Sequence, residues 1–323
     1  MSGSISVLAT FSDPALEKTI RAGLADVEEM LRTSVRSDYP FVDETSRHLL
    51  DAGGKRFRPL VVLLASHFGD PASTAIVPAA VAIELTHLST LYHDDVMDEA
   101  TMRRGAPSAN ARWTNTIAIL TGDFLFARAS EITADLGTEA TRILARTIAV
   151  LCEGQIRETV GPEGGDPVAH YLRVIDDKTG SLIATSGRLG AQLAGAEPAV
   201  VEALATYGDR IGVAFQLSDD LLDITSGSEE SGKTPGTDLR EGIRTLPTLY
   251  AEQDGFVFPA ELTDEAVVQE TLRALRTHPA LERAREALQR EADAARACLV
   301  GLPDIPARAA LDALCDVVVA RTG

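Results

Sequence analysis

The spacing of apolar residues constrains the fold of this chain more than any other feature of its sequence. Near the start of the chain, steps of three or four separate Leu16, Ile20, Leu24, Val27 and Leu31. That spacing places them along one face of an amphipathic α-helix. The same periodicity returns along nearly the whole chain, so we predict an all-α fold.

The predicted helices follow one another with short breaks. They cover residues 14–34, 43–52, 59–68, 74–98, 114–135, 139–159, 167–194, 199–224 and 240–253, with three more between 264 and 321. No segment alternates with period two between hairpin turns, so no sheet is expected. Two loops rich in Gly and Ser, 161–166 and 226–237, lie inside this array, and no linker or repeat is visible. We therefore predict one helical domain over residues 1–323.

Charge and cysteine content exclude several classes of protein. The 323 residues carry a formal net charge of −18, which would repel a nucleic-acid backbone, so we expect no nucleic-acid binding. The three cysteines lie far apart and form no CxxC pair, which argues against a zinc site or a disulfide framework. Since neither a signal peptide nor an apolar run long enough to span a bilayer is visible, we expect a cytoplasmic protein.

The sharpest local motif is a group of acidic residues at the end of an apolar helix. Asp94 and Asp98 are four residues apart, hence one turn apart on one helical face, and Asp95 flanks them. Carboxylates this close repel one another, and oxygen ligands of this kind suit Mg²⁺, which often shares its shell with phosphates. Taken alone, the motif could equally be a solvated helix end.

A second copy of the motif favours metal binding. The same DDxxD spacing, again after an apolar helix, is found at Asp219, Asp220 and Asp223. Two solvated helix ends of identical pattern are a poor explanation. If the two helices pack side by side, six carboxylates would face one cavity, which would bind several Mg²⁺ ions and, through them, a diphosphate.

Basic residues gather near both clusters in a chain that is otherwise acidic. They are Lys55, Arg58, Arg103, Arg104, Lys178 and Lys233. The first two stand at the start of a predicted helix, where backbone N–H groups add positive potential. The arginine pair after the first cluster suits forked contacts with phosphate oxygens. Each residue alone is more often a surface residue, but together they predict a diphosphate pocket.

Seven motifs in a fixed order make the chain resemble a known family. Between residues 53 and 247 they read GGKRFRP, LYHDDVMD, RRGAPSAN, KTGSL, FQLSDDLLD, GKTPGTD and EGIRTLP. This order resembles that of the trans-isoprenyl diphosphate synthases, the polyprenyl synthetase family, of the bacterial long-chain type. The resemblance implies a helical bundle around a deep central cavity, Mg²⁺ as cofactor, isopentenyl and allylic diphosphates as substrates, and usually a homodimer.

The resemblance also implies a role for each motif residue. The metal ligands and catalytic aspartates would be Asp94, Asp95, Asp98, Asp219, Asp220 and Asp223. The allylic diphosphate would contact Arg103, Lys178, Thr179, Gln216 and Lys233, with Lys178 also catalytic. Isopentenyl diphosphate would contact Lys55, Arg58, His87 and Arg104. His87 precedes Asp94 by seven residues, two turns along one helical face, which lets it reach the cavity.

One position departs from the family pattern. Where the family usually has a lysine that approaches the allylic diphosphate, this chain has Ile243, followed by Arg244. Because one residue turns about 100° around a helix, Arg244 need not reach the same place. The variant resembles some bacterial long-chain synthases, and we interpret it as a mark of that subfamily.

The implied reaction elongates an isoprenoid chain. The allylic diphosphate ionises, the double bond of isopentenyl diphosphate attacks the cation, and the released diphosphate takes a proton from C2. Ser89 and Thr90, one turn before Asp94, are small, whereas short-chain relatives tend to have aromatic residues there that block the product tunnel. Tyr92 lies nearer Asp94, but we expect its side chain to point to another side of the helix and not to block the tunnel. We therefore predict a long-chain product from farnesyl or geranylgeranyl diphosphate, for a quinone side chain, released through transient membrane contact. The deeper tunnel floor is expected near residues 151–156.

Three alternatives stay open. A short-chain geranylgeranyl or farnesyl diphosphate synthase would differ only in product length. A terpene cyclase usually has one aspartate cluster and lacks the isopentenyl site that Lys55 and Arg58 imply. A non-catalytic subunit of a two-component synthase typically loses the clusters that this chain keeps. Product analysis and the activity of the purified single chain would separate these alternatives.

Overall fold

The computed structural model describes residues 11–225, 235–259, 262 and 264–321, and most of these residues are helical. In chain order the helices are α1 (Pro14–Ser34), α2 (Pro40–Asp51), α3 (Phe57–Ser66), α4 (Ile76–Met97), α5 (Ala109–Arg112), α6 (Asn115–Asp135), α7 (Thr138–Val160), α8 (Pro167–Ile175), α9 (Ser181–Leu193), α10 (Pro198–Thr225), α11 (Thr237–Arg240), α12 (Leu246–Gln253), α13 (Glu265–Arg276), α14 (Pro279–Cys298) and α15 (Pro306–Ala320). A π-helical turn, Asp176–Gly180, joins α8 to α9. The all-α prediction is confirmed.

Helix boundaries follow local capping signals. Helix α1 begins at Pro14, and the Asp13 side chain before it accepts the backbone N–H of Leu16 at 2.8 Å. Asp264 caps α13 in the same way, by accepting the N–H of Ala266. The helices predicted before residue 226 and after residue 264 are found, with ends shifted by a few residues, except that the π-helical turn divides the helix predicted over 167–194 into α8 and α9.

Two predictions of local structure are wrong. Residues 240–253 do not form one helix, because Gly242 adopts a φ of 72° after α11 and a new helix, α12, begins at Leu246 with Pro247 in its first turn. A small sheet also exists, in which β1 (Met102–Arg103) pairs antiparallel with β2 (Ala106–Pro107). Arg104 and Gly105, both with positive φ, form the tight turn between these strands. Of the second predicted loop, residues 226–234 lie outside the described residues.

Helix α9 separates the two helices that end in aspartate clusters. It packs against α10 on one side and against α3 and α4 on the other. The approach to α10 is close because a Cβ on Gly187 would overlap the carbonyl oxygen of Leu204, and one on Gly208 would overlap that of Ile183. The π-helical turn before α9 packs against α10 as well. This packing determines how far apart α4 and α10 lie.

A continuous cluster of buried apolar side chains runs through the bundle from Phe11 to Val318. Helix α4 is buried around most of its circumference, as expected for a helix at the centre of a bundle. Its C-terminal end is the point where acidic residues replace apolar ones. Within the described ranges, no helix is long and apolar enough to cross a membrane.

Candidate active site

The three acidic residues at the end of α4 have different environments. Asp95 is fully buried, Asp94 is partly buried, and Asp98 is exposed. Burial raises the pKa of Asp94 to about 6, the positive charge of Lys178 opposes this, and the carboxylate of Asp98 adds to it. Among the described residues, no hydrogen bond or ion pair reaches the Asp94 carboxylate. This acid is therefore poorly solvated and lacks a close cation.

Asp95 points inward and holds an arginine. The Nε atom of Arg103 donates to its Oδ1 at 2.5 Å. Burial raises the pKa of Asp95, and the charge of Arg103 opposes the shift. Because β1 brings Arg103 back toward the end of α4, an Nη atom of Arg103 also lies 3.9 Å from an oxygen of Asp98. Asp95 thus fixes a guanidinium beside the outer carboxylates.

In the second cluster, Asp219 contacts two cations. Its Oδ1 lies 2.5 Å from Nη2 of Arg321 and 3.8 Å from Nζ of Lys55. Both cations lie over the ring of Phe215, at 4.9 Å and 5.2 Å from its centroid. Arg321 directly follows α15, so the C-terminal end of the described chain lies against this cluster.

The other two acids of the second cluster accept hydrogen bonds from the chain itself. Asp220 is buried and accepts from Tyr171 Oη and from Gln216 Nε2, the latter at 2.9 Å. Burial raises the pKa of Asp220 to about 7, against these hydrogen bonds, which lower it. Asp223 accepts two backbone N–H groups at the start of α11, each at 3.1 Å. The second cluster is therefore embedded in polar contacts.

The π-helical turn connects the two clusters. Burial raises the pKa of Asp94 and Asp98, and the positive charge of Lys178 opposes this shift in both. The Nζ atom of Lys178 pairs with Glu158 of α7. Thr179 donates to Gln216 at 3.2 Å, and Gln216 in turn donates to the buried carboxylate of the second cluster. Such π-helical turns are frequent at functional sites.

A group of partly buried basic residues lies between the loop before α3 and the middle of α4. The Nε of Arg58 has no hydrogen-bond partner among the described residues, and burial lowers its pKa to about 10, so it stays charged. Arg104 donates to the carbonyl oxygens of Leu49, at 3.1 Å, and Gly53. Burial, and then the charges of the neighbouring arginines, lower the pKa of His87 well below its usual value. His87 is therefore neutral and can donate a hydrogen bond.

One residue from the sequence analysis, Arg244, is not brought to the site, and Lys233 lies outside the described residues. Arg244 pairs with Glu252 of α12 and lies over the ring of Phe258 at 4.9 Å from its centroid. Its guanidinium is thus engaged by α12 and its surroundings rather than by either aspartate cluster.

Sequence reasoning missed three residues that contact the site, namely Tyr171, Glu158 and Arg321. None belongs to the seven motifs. Their partners are distant in sequence: 49 positions separate Tyr171 from Asp220, and 102 separate Arg321 from Asp219. For Arg321, the sequence offered one signal, a basic residue near the C-terminus of an acidic chain. For Tyr171 and Glu158 it offered none.

The acidic residues fit a divalent ion that is shared with a ligand. In the part of the chain that the structure describes, no three His, Cys, Asp or Glu side chains converge into a complete metal site. Mg²⁺ usually keeps several waters and binds through one or two carboxylates plus substrate phosphates. Asp94, poorly solvated and without a close cation, and Asp98, one turn away, supply carboxylates of this kind.

These features define an all-helical protein with two aspartate clusters and a group of partly buried cations. A family model described as "Polyprenyl synthetase" matches residues 39–277. The chain therefore belongs to the polyprenyl synthetase family of trans-prenyltransferases, and the predicted family and enzyme class are confirmed.

Individual proteins are similar over nearly their whole length. The nonaprenyl diphosphate synthase of Mycobacterium tuberculosis is 48% identical over 321 residues, 96% of each chain. A crystal structure of geranylgeranyl pyrophosphate synthase from Corynebacterium glutamicum, complexed with calcium and isoprenyl diphosphate, is 45% identical with a TM-score of 0.86, covering 97% of this chain and 99% of that one. The corresponding complex of polyprenyl synthase from Caulobacter crescentus CB15 is 34% identical with a TM-score of 0.88 and the same coverage. A divalent metal ion and isoprenyl diphosphates as ligands are thus common to the family.

Proposed function

We propose that this chain is a chain-elongating all-trans polyprenyl diphosphate synthase that condenses isopentenyl diphosphate onto an allylic diphosphate, farnesyl or geranylgeranyl diphosphate. The observation that carries the proposal is a poorly solvated carboxylate, Asp94, in a cluster whose buried member Asp95 holds the guanidinium of Arg103. A complex of a divalent metal ion with a diphosphate satisfies both groups at once, because the metal neutralises the acid and the phosphate oxygens bind the guanidinium. The activity named for the relatives supports the same reaction.

Mg²⁺ is the metal that we propose, with ligands from both clusters: Asp94, Asp98, Asp219 and Asp223. When bound, it would neutralise the allylic diphosphate and make it a better leaving group. Asp95 and Asp220 act differently in this proposal. Asp95 orients Arg103, and Asp220 orients Gln216, through the hydrogen bonds described above.

The two diphosphates are proposed to bind on different groups of cations. Residues for the allylic diphosphate are Arg103, Lys178, Thr179, Gln216 and Lys233, and Lys178 would exchange Glu158 for a phosphate oxygen. Residues for isopentenyl diphosphate are Lys55, Arg58, His87 and Arg104, and His87 would donate a hydrogen bond because it is neutral. The C2 proton passes to the released diphosphate.

The structure supports a long product, from heptaprenyl to decaprenyl. Ser89 is small and buried. Tyr92 donates to the carbonyl of Thr45 at 2.5 Å and accepts from the N–H of Leu49 at 3.2 Å, so it points toward α2, as predicted. The nonaprenyl diphosphate synthase relative supports the same range, and a quinone side chain is the proposed use. At the predicted tunnel floor, Leu151 is buried but Ile156 is 63% exposed.

Product chromatography tests this proposal. The purified chain is given isopentenyl diphosphate with geranyl, farnesyl or geranylgeranyl diphosphate, and chain lengths are resolved after dephosphorylation. We expect long products from wild type and shorter ones from Ser89→Phe, because an aromatic ring there would narrow the path. A dominant fifteen- or twenty-carbon product from wild type would instead favour the short-chain alternative, which the similarity to the Corynebacterium geranylgeranyl enzyme keeps open.

The same preparation tests whether the chain works alone. A relative from Geobacillus stearothermophilus, 43% identical over 295 residues, is called component 2 of a heptaprenyl diphosphate synthase. We expect the single purified chain to turn over without a second component, because both aspartate clusters and the cationic group come from this one chain. An inactive preparation that a partner protein restores would favour the two-component alternative.

A homodimer is proposed on the outer face of α6 and α7. Apolar side chains exposed there are Ile119, Leu120, Phe126, Ile156 and Val160. A second copy of the chain would cover them. Light scattering coupled to size exclusion should report a dimer for wild type and a monomer for Leu120→Asp, while Val300→Asp, at an 82% exposed position elsewhere, should remain dimeric.

Three further expectations from the sequence stay predictions. They are the single domain over residues 1–323, the cytoplasmic location and the membrane contact during product release.

A further inference from the structure

Arg56 and Glu84 form a buried ion pair beside the cationic group, and neither has a role in the reaction described above. Nη1 of Arg56 donates to Oε1 of Glu84 at 3.0 Å, and its Nε donates to Oε1 of Glu28 at 2.5 Å. The side chains of Arg56 and Glu84 are 5% and 2% exposed. Because desolvation offsets much of the attraction in a buried ion pair, stability alone is a poor explanation for it.

Arg56 fixes the path of the loop that carries two of the proposed substrate-binding cations. Its φ is 50°, in the left-handed region, where a residue with a side chain is strained unless its surroundings hold it. Carboxylates from α1 and α4 hold it here, while Lys55 before it lies 3.8 Å from Asp219. Arg58 follows two residues later, with its Nε lacking a partner among the described residues. The anchored arginine thus places both neighbours.

Glu84 acts on more than the arginine that it touches. Burial lowers the pKa of both Arg58 and Arg104, and Glu84 is the charge that most opposes this shift in each case. Arg58 and Arg56 are themselves repelled by Arg104, whose positive charge lies close to theirs. Glu28 is not among the main charges acting on Arg58 or Arg104. Arg58 and Arg104 therefore depend mainly on one buried carboxylate, Glu84, which also shares Arg56 with Glu28.

We propose that Glu84 is a positioning residue for isopentenyl diphosphate, which holds Arg56 in its strained conformation and keeps Arg58 and Arg104 together as a preformed diphosphate site. The inference rests on the proposed function. Without this carboxylate, the guanidiniums repel one another and turn toward water, so their donors no longer match the phosphate oxygens. Forked contacts require fixed donor geometry, which supporting residues supply.

The test compares Glu84→Gln with a matched control, Glu28→Gln. Gln keeps the size of the side chain and one acceptor oxygen for Arg56, and replaces the charged carboxylate by a neutral amide. For E84Q we expect the KM for isopentenyl diphosphate to rise about tenfold or more, the usual scale for loss of a supporting residue, with the KM for farnesyl diphosphate changed less than about twofold. For E28Q, which touches the same arginine, both KM values should stay within about threefold.

Several outcomes would overturn the inference. These are an unchanged or lower KM for isopentenyl diphosphate in E84Q, equal rises for both substrates, or equal effects of E84Q and E28Q. Should E84Q fail to fold, the double variant Arg56→Met with Glu84→Met removes both charges, which buried sites often tolerate, and should show the same selective rise. Calorimetry with isopentenyl diphosphate alone separates this inference from the proposed function, because binding that is lost in E84Q supports the positioning role even if wild type shows no turnover.

Discussion

The two aspartate clusters share one sequence spacing but differ in nearly everything around them. In the first, Asp94 has no close partner within the described chain, and a single guanidinium, Arg103, pairs with the buried Asp95 and lies at 3.9 Å from Asp98. In the second, Asp219 is paired with Arg321 and Lys55, and the other two acids accept hydrogen bonds. A cation can approach Asp94 without displacing a side chain, whereas at Asp219 it must displace a guanidinium. Identical motifs therefore need not contribute equally to metal binding.

Removing one acid from each cluster should have the largest effect and test this difference directly. We expect Asp94→Ala and Asp219→Ala each to lower kcat by about a thousandfold or more, as for loss of an essential catalytic group. Their stabilities should differ, because D94A removes a poorly solvated charge, whereas D219A leaves Arg321 without its carboxylate partner. Thermal unfolding should therefore give a higher Tm for D94A than for D219A.

The control for this pair is Asp304→Ala, which removes a side chain that is 91% exposed and should keep wild-type turnover. Near-normal turnover of D94A or D219A at saturating Mg²⁺ would contradict the proposed metal roles. Equal Tm values for the two variants would instead leave the roles intact and contradict the comparison between the clusters.

A smaller effect is expected from the hydrogen bonds that orient the second cluster. Tyr171→Phe removes the hydroxyl that donates to Asp220 and should lower kcat about 10- to 100-fold, the usual scale for groups that orient metal ligands. Tyr207→Phe is the matched control, because Tyr207 is also buried but donates to the carbonyl of Leu311 at 2.7 Å, apart from both clusters. If Y171F and Y207F lost activity equally, the loss would reflect packing rather than the orientation of Asp220.

The sequence allowed the helices and the motif residues to be predicted, because both depend on short-range patterns. Apolar periodicity indicated α4 and α10, and DDxxD spacing indicated the acids at their ends. The different surroundings of Asp94 and Asp219 could not be predicted in this way. They depend on contacts between distant segments, such as Arg321 from the end of the chain, and on burial, which a spacing of four residues does not report. The break at Gly242 was missed for a local reason, its positive φ.

The pH dependence of metal binding should isolate the first cluster. The pKa of Asp94 is raised from 3.8 to about 6, so between these values the folded chain holds a proton that the unfolded chain releases. The contribution of Asp94 to stability therefore falls as pH rises through that window. A bound cation requires the ionised carboxylate, so stabilisation by Mg²⁺ with pyrophosphate should grow over the same window, by up to about tenfold in affinity per pH unit.

Thermal unfolding from pH 4.5 to pH 7.5, with and without these ligands, measures this effect. The comparison of wild type with Asp94→Asn isolates the contribution of Asp94, because burial also raises the pKa of Asp220 and that effect remains in both proteins. A pH dependence that D94N leaves unchanged would show that the proton is held elsewhere.

The smallest effect concerns Arg244, the residue next to the position where the family usually has lysine. Its guanidinium pairs with Glu252 and lies over Phe258, so it should not supply the missing charge near the second cluster. Arg244→Met is expected to change the KM for farnesyl diphosphate by less than about twofold, as for a surface substitution away from the site. Arg103→Met provides the contrast, because Arg103 contacts Asp95 and should raise this KM by about tenfold or more. A comparable rise in R244M would mean that Arg244 leaves α12 when substrate binds, and that Ile243 is compensated by its neighbour.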